Sequence, residues 1–141
     1  MLVGTWTGEG VYAADYPGVG KKGEKFATTF TCRWTAGRAA IACEGKDTHA
    51  TWTSLYFWNP ATKQIRVSGV DSGGNYDEGT VVVNGKTMTY ATAGHFADGQ
   101  KVEYQRSSSY EQNGSIEAFT GKTILKGIAS PFDGSFKKVP K

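Results

Sequence analysis

The chain has 141 residues and a formal net charge of +3, from 16 scattered basic residues set against 13 acidic ones. That is the size of one domain, 1–141, and too weak a positive charge to imply a nucleic-acid partner. With 19 Gly but only 4 Pro, and no long apolar periodic segment, the composition excludes a disordered tract, a substantial helix and a transmembrane segment.

The first predicted strand runs from Leu2 to Ala13. It begins at once, with no charged-then-apolar leader before it, so the protein is expected either in the cytoplasm or exported (periplasmic or secreted) with its signal removed. Asp15 to Lys25, containing Pro17 and several glycines, reads as the most irregular loop. A hairpin follows, from Phe26 to Thr35 and from Arg38 to Lys46, turning at Gly37-Arg38. Phe26, Phe30, Cys32 and Trp34 share one face by alternation, with Thr29, Thr31, Arg33 and Thr35 on the other. Counting outward from the turn sets Cys32 opposite Cys43, in the wider, hydrogen-bonded kind of pair. The two are either a disulfide, which would favour export, or two small buried thiols.

Ala50 to Trp58 is apolar on both faces, with Trp52, Tyr56 and Trp58 on one and Leu55 and Phe57 on the other. The turn Asn59 to Lys63 returns the chain through Ile65–Val70 to a connector at Asp71–Gly74. Strands are then predicted over Asn75–Val83, Lys86–Ala97, Gln100–Gln112 and Ser115–Thr120, with a further one at Lys122–Ile128. Residues 131–141 read as a C-terminal tail, anchored by Phe132 and Phe136. Asn84-Gly85, Asp98-Gly99 and Asn113-Gly114 are turn dipeptides that make this half a meander of successive neighbours. An open sheet of so many strands would leave long edges exposed. The expected fold is therefore all-β, a single antiparallel up-and-down β-barrel, with a two-sheet sandwich as the alternative.

Gly4-Thr5-Trp6 on the first strand, followed by Gly8 and Gly10, resembles the Gly-x-Trp signature of the calycins, the lipocalin-like barrels. The Asn59–Lys63 turn, Gly79, Asn84-Gly85, Asp98 to Val102 and Tyr104 to Arg106 are similar to a group of small bacterial calycin-like domains of uncharacterised function. The resemblance spans roughly Leu2 to Thr120. It implies a barrel whose closed end is plugged by Trp6. In lipocalins a late-strand arginine covers that tryptophan; here the last arginine is Arg106, and only lysines such as Lys126 follow it. The aromatic quartet with which avidins hold biotin cannot be placed, and no histidine follows His95 to serve haem. No cofactor is expected. His49 and His95 lack partners at metal-ligand spacing, apart from Asp47 near His49, so no metal site is expected either. No nucleophile elbow, phosphate loop or metalloprotease motif is present.

Two-residue turns at Asn84-Gly85 and Asp98-Gly99 would align Glu78, Ala91 and Arg106 in one row. Ala93 would then oppose Tyr104 and His95 oppose Val102, while Asn113-Gly114 would set Ser108 opposite Phe119. One face would carry Glu78, His95, Tyr104 and Arg106 among small residues, which is how a ligand pocket is built. The alternative is an exposed cross-strand ion pair worth under ~1 kcal/mol. Trp34 and Tyr56 are added as stacking surfaces. The primary reading is a barrel that holds a small apolar or amphipathic molecule inside, entering past the Asp15–Lys25 loop or the Asp71–Gly74 connector. Two further readings stay open. One is a cyclase or isomerase, which the resemblance allows, with His95, Tyr104 or Glu78 as acid or base. The other is a filled-core interaction module using exposed aromatics such as Trp52 and Trp58.

Overall fold

Ten consecutive antiparallel strands close on themselves in a computed structural model that describes residues 1–141. They are β1 (Gly4–Val11), β2 (Lys25–Thr35), β3 (Ala40–Lys46), β4 (Thr51–Asn59), β5 (Gln64–Asp71), β6 (Tyr76–Asn84), β7 (Thr87–His95), β8 (Lys101–Glu111), β9 (Ile116–Leu125) and β10 (Ile128–Lys138). Each strand pairs with its neighbours in the chain, and β1 pairs with β10 to complete the ring. The protein is therefore an all-β, closed, up-and-down barrel, and no helix in it is long and apolar enough to cross a membrane.

The period-two alternation decides what fills the barrel. Trp6, Phe30, Cys32, Cys43, Val67, Val81, Met88, Tyr90 and Tyr110 point inward and form one core with Leu2. Trp6 is fully buried at the end where the chain enters, and its indole N–H donates to the Leu2 carbonyl at 2.9 Å. Phe30 stacks at 6.4 Å and Tyr110 meets the indole edge-on at 5.9 Å. A second, smaller cluster of Tyr12, Val19 and Ala50, with Tyr16 and Phe26 against it, lies under the loop between β1 and β2 at the other end.

Cys32 and Cys43 pair across β2 and β3 and are joined by a disulfide. Their Cα atoms are 4.1 Å apart, the closer spacing of a non-hydrogen-bonded pair rather than the wider one expected. The reason is the turn. Ala36–Arg38 form a short 3₁₀ turn, Thr35 pairs with Ala40, and this four-residue loop shifts the hydrogen-bonding alternation by one.

The C-terminal segment is corrected by the structure. Residues expected as a separate strand after Thr120 and a tail from 131 are instead the second half of β9 and the closing strand β10. β9 runs through Gly121 unbroken because its cross-strand partner Phe132 fills the space, with the ring edge 2.6 Å from where a β-carbon would stand. Gly134 and Phe119 repeat the arrangement one step further on.

Closure is short. β1 and β10 share only three residue pairs, Trp6–Lys138, Thr7–Lys137 and Gly8–Phe136. Beyond Gly8 the strands part, so Glu9–Val11 and Ile128–Ser135 each keep one unpaired edge.

Candidate functional site

An interior space of about 330 Å³ lies between the Trp6 core and the β1–β2 loop. Phe26, Phe30, Phe119, Phe132 and Phe136 supply much of its apolar wall. Glu9, Val11 and Asp133 also line it, which places its mouth at the gap where β1 and β10 part. The β1–β2 loop lies over the adjoining end. It is pinned there by the Tyr16 hydroxyl against Thr123 Oγ1 at 2.9 Å and by Asn75 Nδ2 donating to the Pro17 carbonyl at 2.8 Å.

Arg106 reaches this space from β8. Its Nε donates to Ser108 Oγ at 3.0 Å, and its Nη2 pairs with Glu117 Oε1. The Tyr110 hydroxyl donates to the same carboxylate oxygen at 3.3 Å. Rings of Tyr90 and Phe119 each lie 4.9 Å from the guanidinium carbon, so the cation is sandwiched between aromatic faces. Desolvation works against the charge, but Glu117 together with Tyr90, Tyr56 and Tyr110 outweighs it, and Arg106 holds its proton above the ordinary arginine value.

Two features of this pair are unfinished. Glu117 is fully buried, yet its Oε2 has no hydrogen-bond partner. Arg106 keeps 29% of its side chain accessible and gives no protein acceptor its Nη1 hydrogens. Tyr56 lies close by, its hydroxyl donating to Tyr90 at 3.3 Å, and burial raises its pKa well above the ordinary tyrosine value. Tyr104, toward the β1–β2 loop, is raised by burial and then by Tyr16, Asp77 and Asp71. Both phenols are hydrogen-bonding groups and not bases near neutral pH.

The structure gathers Arg106, Tyr104 and Tyr56 around one cavity and leaves the other expected site residues outside it. Glu78 and His95 are exposed on the outer wall, where His95 Nδ1 meets the Tyr76 hydroxyl at 3.1 Å. Trp34 is 48% exposed at the far end of β2. The expected row of Glu78, Ala91 and Arg106 does not form. Glu78 faces Ala93, and Arg106 faces Tyr90. Ala93 pairs with Glu103 and His95 with Lys101, not with Tyr104 and Val102. The cause is the β7–β8 turn, a three-residue loop in which Gly99 takes φ +87°; one extra residue moves Arg106 to the opposite face from Ala91.

Ser108 does face Phe119. Carried two pairs further, the same register sets Tyr110 opposite Glu117, on the Arg106 face. That alternation was the available signal for Glu117, the residue the sequence reading missed.

No group of three or more His, Cys, Asp or Glu side chains is gathered to hold a metal. Fold and cavity define the protein as a closed ten-stranded antiparallel barrel with a polar pair set in an aromatic interior. Compared with protein-family models and with curated proteins, the chain matches none at a significant level.

Proposed function

We propose that this barrel binds a small, mainly apolar molecule in its interior, oriented by Arg106 with Tyr56 and Tyr104 alongside. The observation that carries the reading is the accessible guanidinium at the bottom of an aromatic-walled space. An arginine donor without a protein acceptor beside a cavity of this size is a ready anchor for a ligand's polar group. Its free Nη1 suits a neutral oxygen acceptor on the ligand, while Tyr90 and Phe119 already cover its two faces. The β1–β10 gap supplies access from the side.

Kinship with the calycin-like barrels accords with Trp6 standing in a Gly-x-Trp sequence on the first strand and plugging one end of the barrel. An exported location accords with the Cys32–Cys43 disulfide, since such bonds rarely persist in a reducing cytosol.

The test is native mass spectrometry of protein purified gently from its own host, followed by denaturing extraction. A bound compound released on unfolding is expected. The double variant Arg106→Met/Glu117→Met, which keeps the volume and removes the polar pair, is expected to retain that compound at least ~10-fold less well. A clean apo mass, with no thermal stabilisation by a library of small amphiphiles, would overturn the reading.

A further inference from the structure

The cavity's charge runs against that of the molecule. The chain carries a net +3, yet five carboxylates line the cavity (Glu9, Asp47, Asp71, Glu117 and Asp133) against the single base Arg106. That one cation is already paired with Glu117. At the mouth, Glu9 and Asp133 belong to the two strands that part beyond Gly8, and no lysine lines the space to balance them. Resting on the cavity reading above, we infer that the ligand is an amphiphilic amine, bound as a cation, and that a carboxylate is rejected.

Three observations support the sign. The first is the lining itself: a cleft with low-dielectric walls and charges of one sign focuses the field and concentrates counter-ions. The second is Glu117 Oε2, a fully buried acceptor without a donor. An ammonium N–H satisfies such an atom, whereas a ligand carboxylate would bring a second acceptor against it. The third is Asp77, beside Tyr104 next to this space. Its carboxyl is held above the ordinary aspartate value by burial and, against the Thr92 hydroxyl, by the negative charge of Asp71. Asp77 thus adds a further carboxylate beside the space. The apolar part of the ligand then lies along the phenylalanine wall, where an aryl group can pack against Phe26 and Phe132.

Calorimetric titration of the whole chain with 4-phenylbutylamine, 4-phenylbutan-1-ol and 4-phenylbutanoate separates the possibilities, because only the head group changes. The amine is expected to bind at least ~10-fold tighter than the butanoate at low salt, with the alcohol between them. The gap should narrow as salt shortens the screening length from about 30 Å to about 8 Å. Substituting the exposed rim residues together, Glu9→Gln and Asp133→Asn, is expected to pull the amine's affinity toward that of the alcohol. A butanoate or an alcohol that binds as tightly as the amine overturns the inference and leaves the cavity reading standing. An undiminished gap in the rim variant overturns the role of the mouth. If none of the three compounds binds, the cavity reading itself fails.

Discussion

The Lys138 ammonium lies 5.1 Å from the centroid of the Trp6 ring, so the closing strand places a cation over the tryptophan that plugs the barrel. The lysine approaches across Gly4, where a β-carbon would stand 2.5 Å from its Cε. The glycine and the tryptophan of Gly4-Thr5-Trp6 thus serve one contact: one lets the cation pass, the other receives it. The cover comes from Lys138 and not from Arg106, which is occupied inside the cavity, nor from Lys126, which sits in the β9–β10 turn.

Trp6→Ala should cost ~3–5 kcal/mol, since it empties the most buried large side chain and orphans the Leu2 carbonyl. Lys138→Met keeps the aliphatic stem and removes the charge, so it should cost only ~0.5–1 kcal/mol. Urea denaturation of both variants checks the ratio; similar losses would mean that the ammonium, and not the stem that Met preserves, carries the contact.

Glu117→Met and Arg106→Met should each destabilise by ~3–5 kcal/mol, because each leaves part of a desolvated pair without its counter-charge. The double replacement by Met at both positions should recover most of that loss. A double-mutant cycle by denaturant unfolding measures it. Additive losses would show that the two side chains act independently.

Reducing the Cys32–Cys43 bond, or replacing both cysteines by Ser, should cost ~2–4 kcal/mol; it frees the β2–β3 hairpin in the unfolded chain and disturbs two buried positions. Thermal unfolding with and without reductant reads this directly. An unchanged midpoint would show that the hairpin holds its register through the core alone.

Asp77 gives a dependence on pH with a definite sign. Its folded-state value is raised above 3.8, chiefly by burial, so ionising it opposes folding. Its contribution is fully favourable below the unfolded value and is lost as pH rises through the folded one. Asp77→Asn should therefore gain stability relative to the parent near neutrality, and the difference should vanish in acid. Chemical unfolding at about pH 3 and about pH 7 tests it; a gain of equal size at both would assign the effect to packing.

The fold was legible wherever alternation and turn chemistry agreed. The β2–β3 and β8–β9 pairings followed from their turns, and with them the facing of Cys32 on Cys43 and of Ser108 on Phe119. At Asn84-Gly85 the pairing is displaced by two residues, which preserves each residue's face. At Asp98-Gly99 it is displaced by one, which does not, and the candidate site turned on that single residue. A dipeptide announces a turn without stating how many residues span it. β10 escaped notice for another reason. Ser, Pro, Asp and Gly alternate with its phenylalanines, and only the facing glycines of the ladder show why that composition makes a strand.

The seam between β1 and β10 also shapes how the molecule assembles. Every other ladder joins strands adjacent in the chain and can zip as a hairpin, whereas this one brings together opposite ends of the sequence for three residue pairs. Its loop-closure entropy is the largest and its return in contacts the smallest. It is the last joint to form and the first to fray, so amide protons along Thr7 and Lys137 should exchange ahead of those in the β7–β8 ladder. Because the cavity opens beside that joint, the breathing of one seam widens its mouth while the remaining wall stays shut.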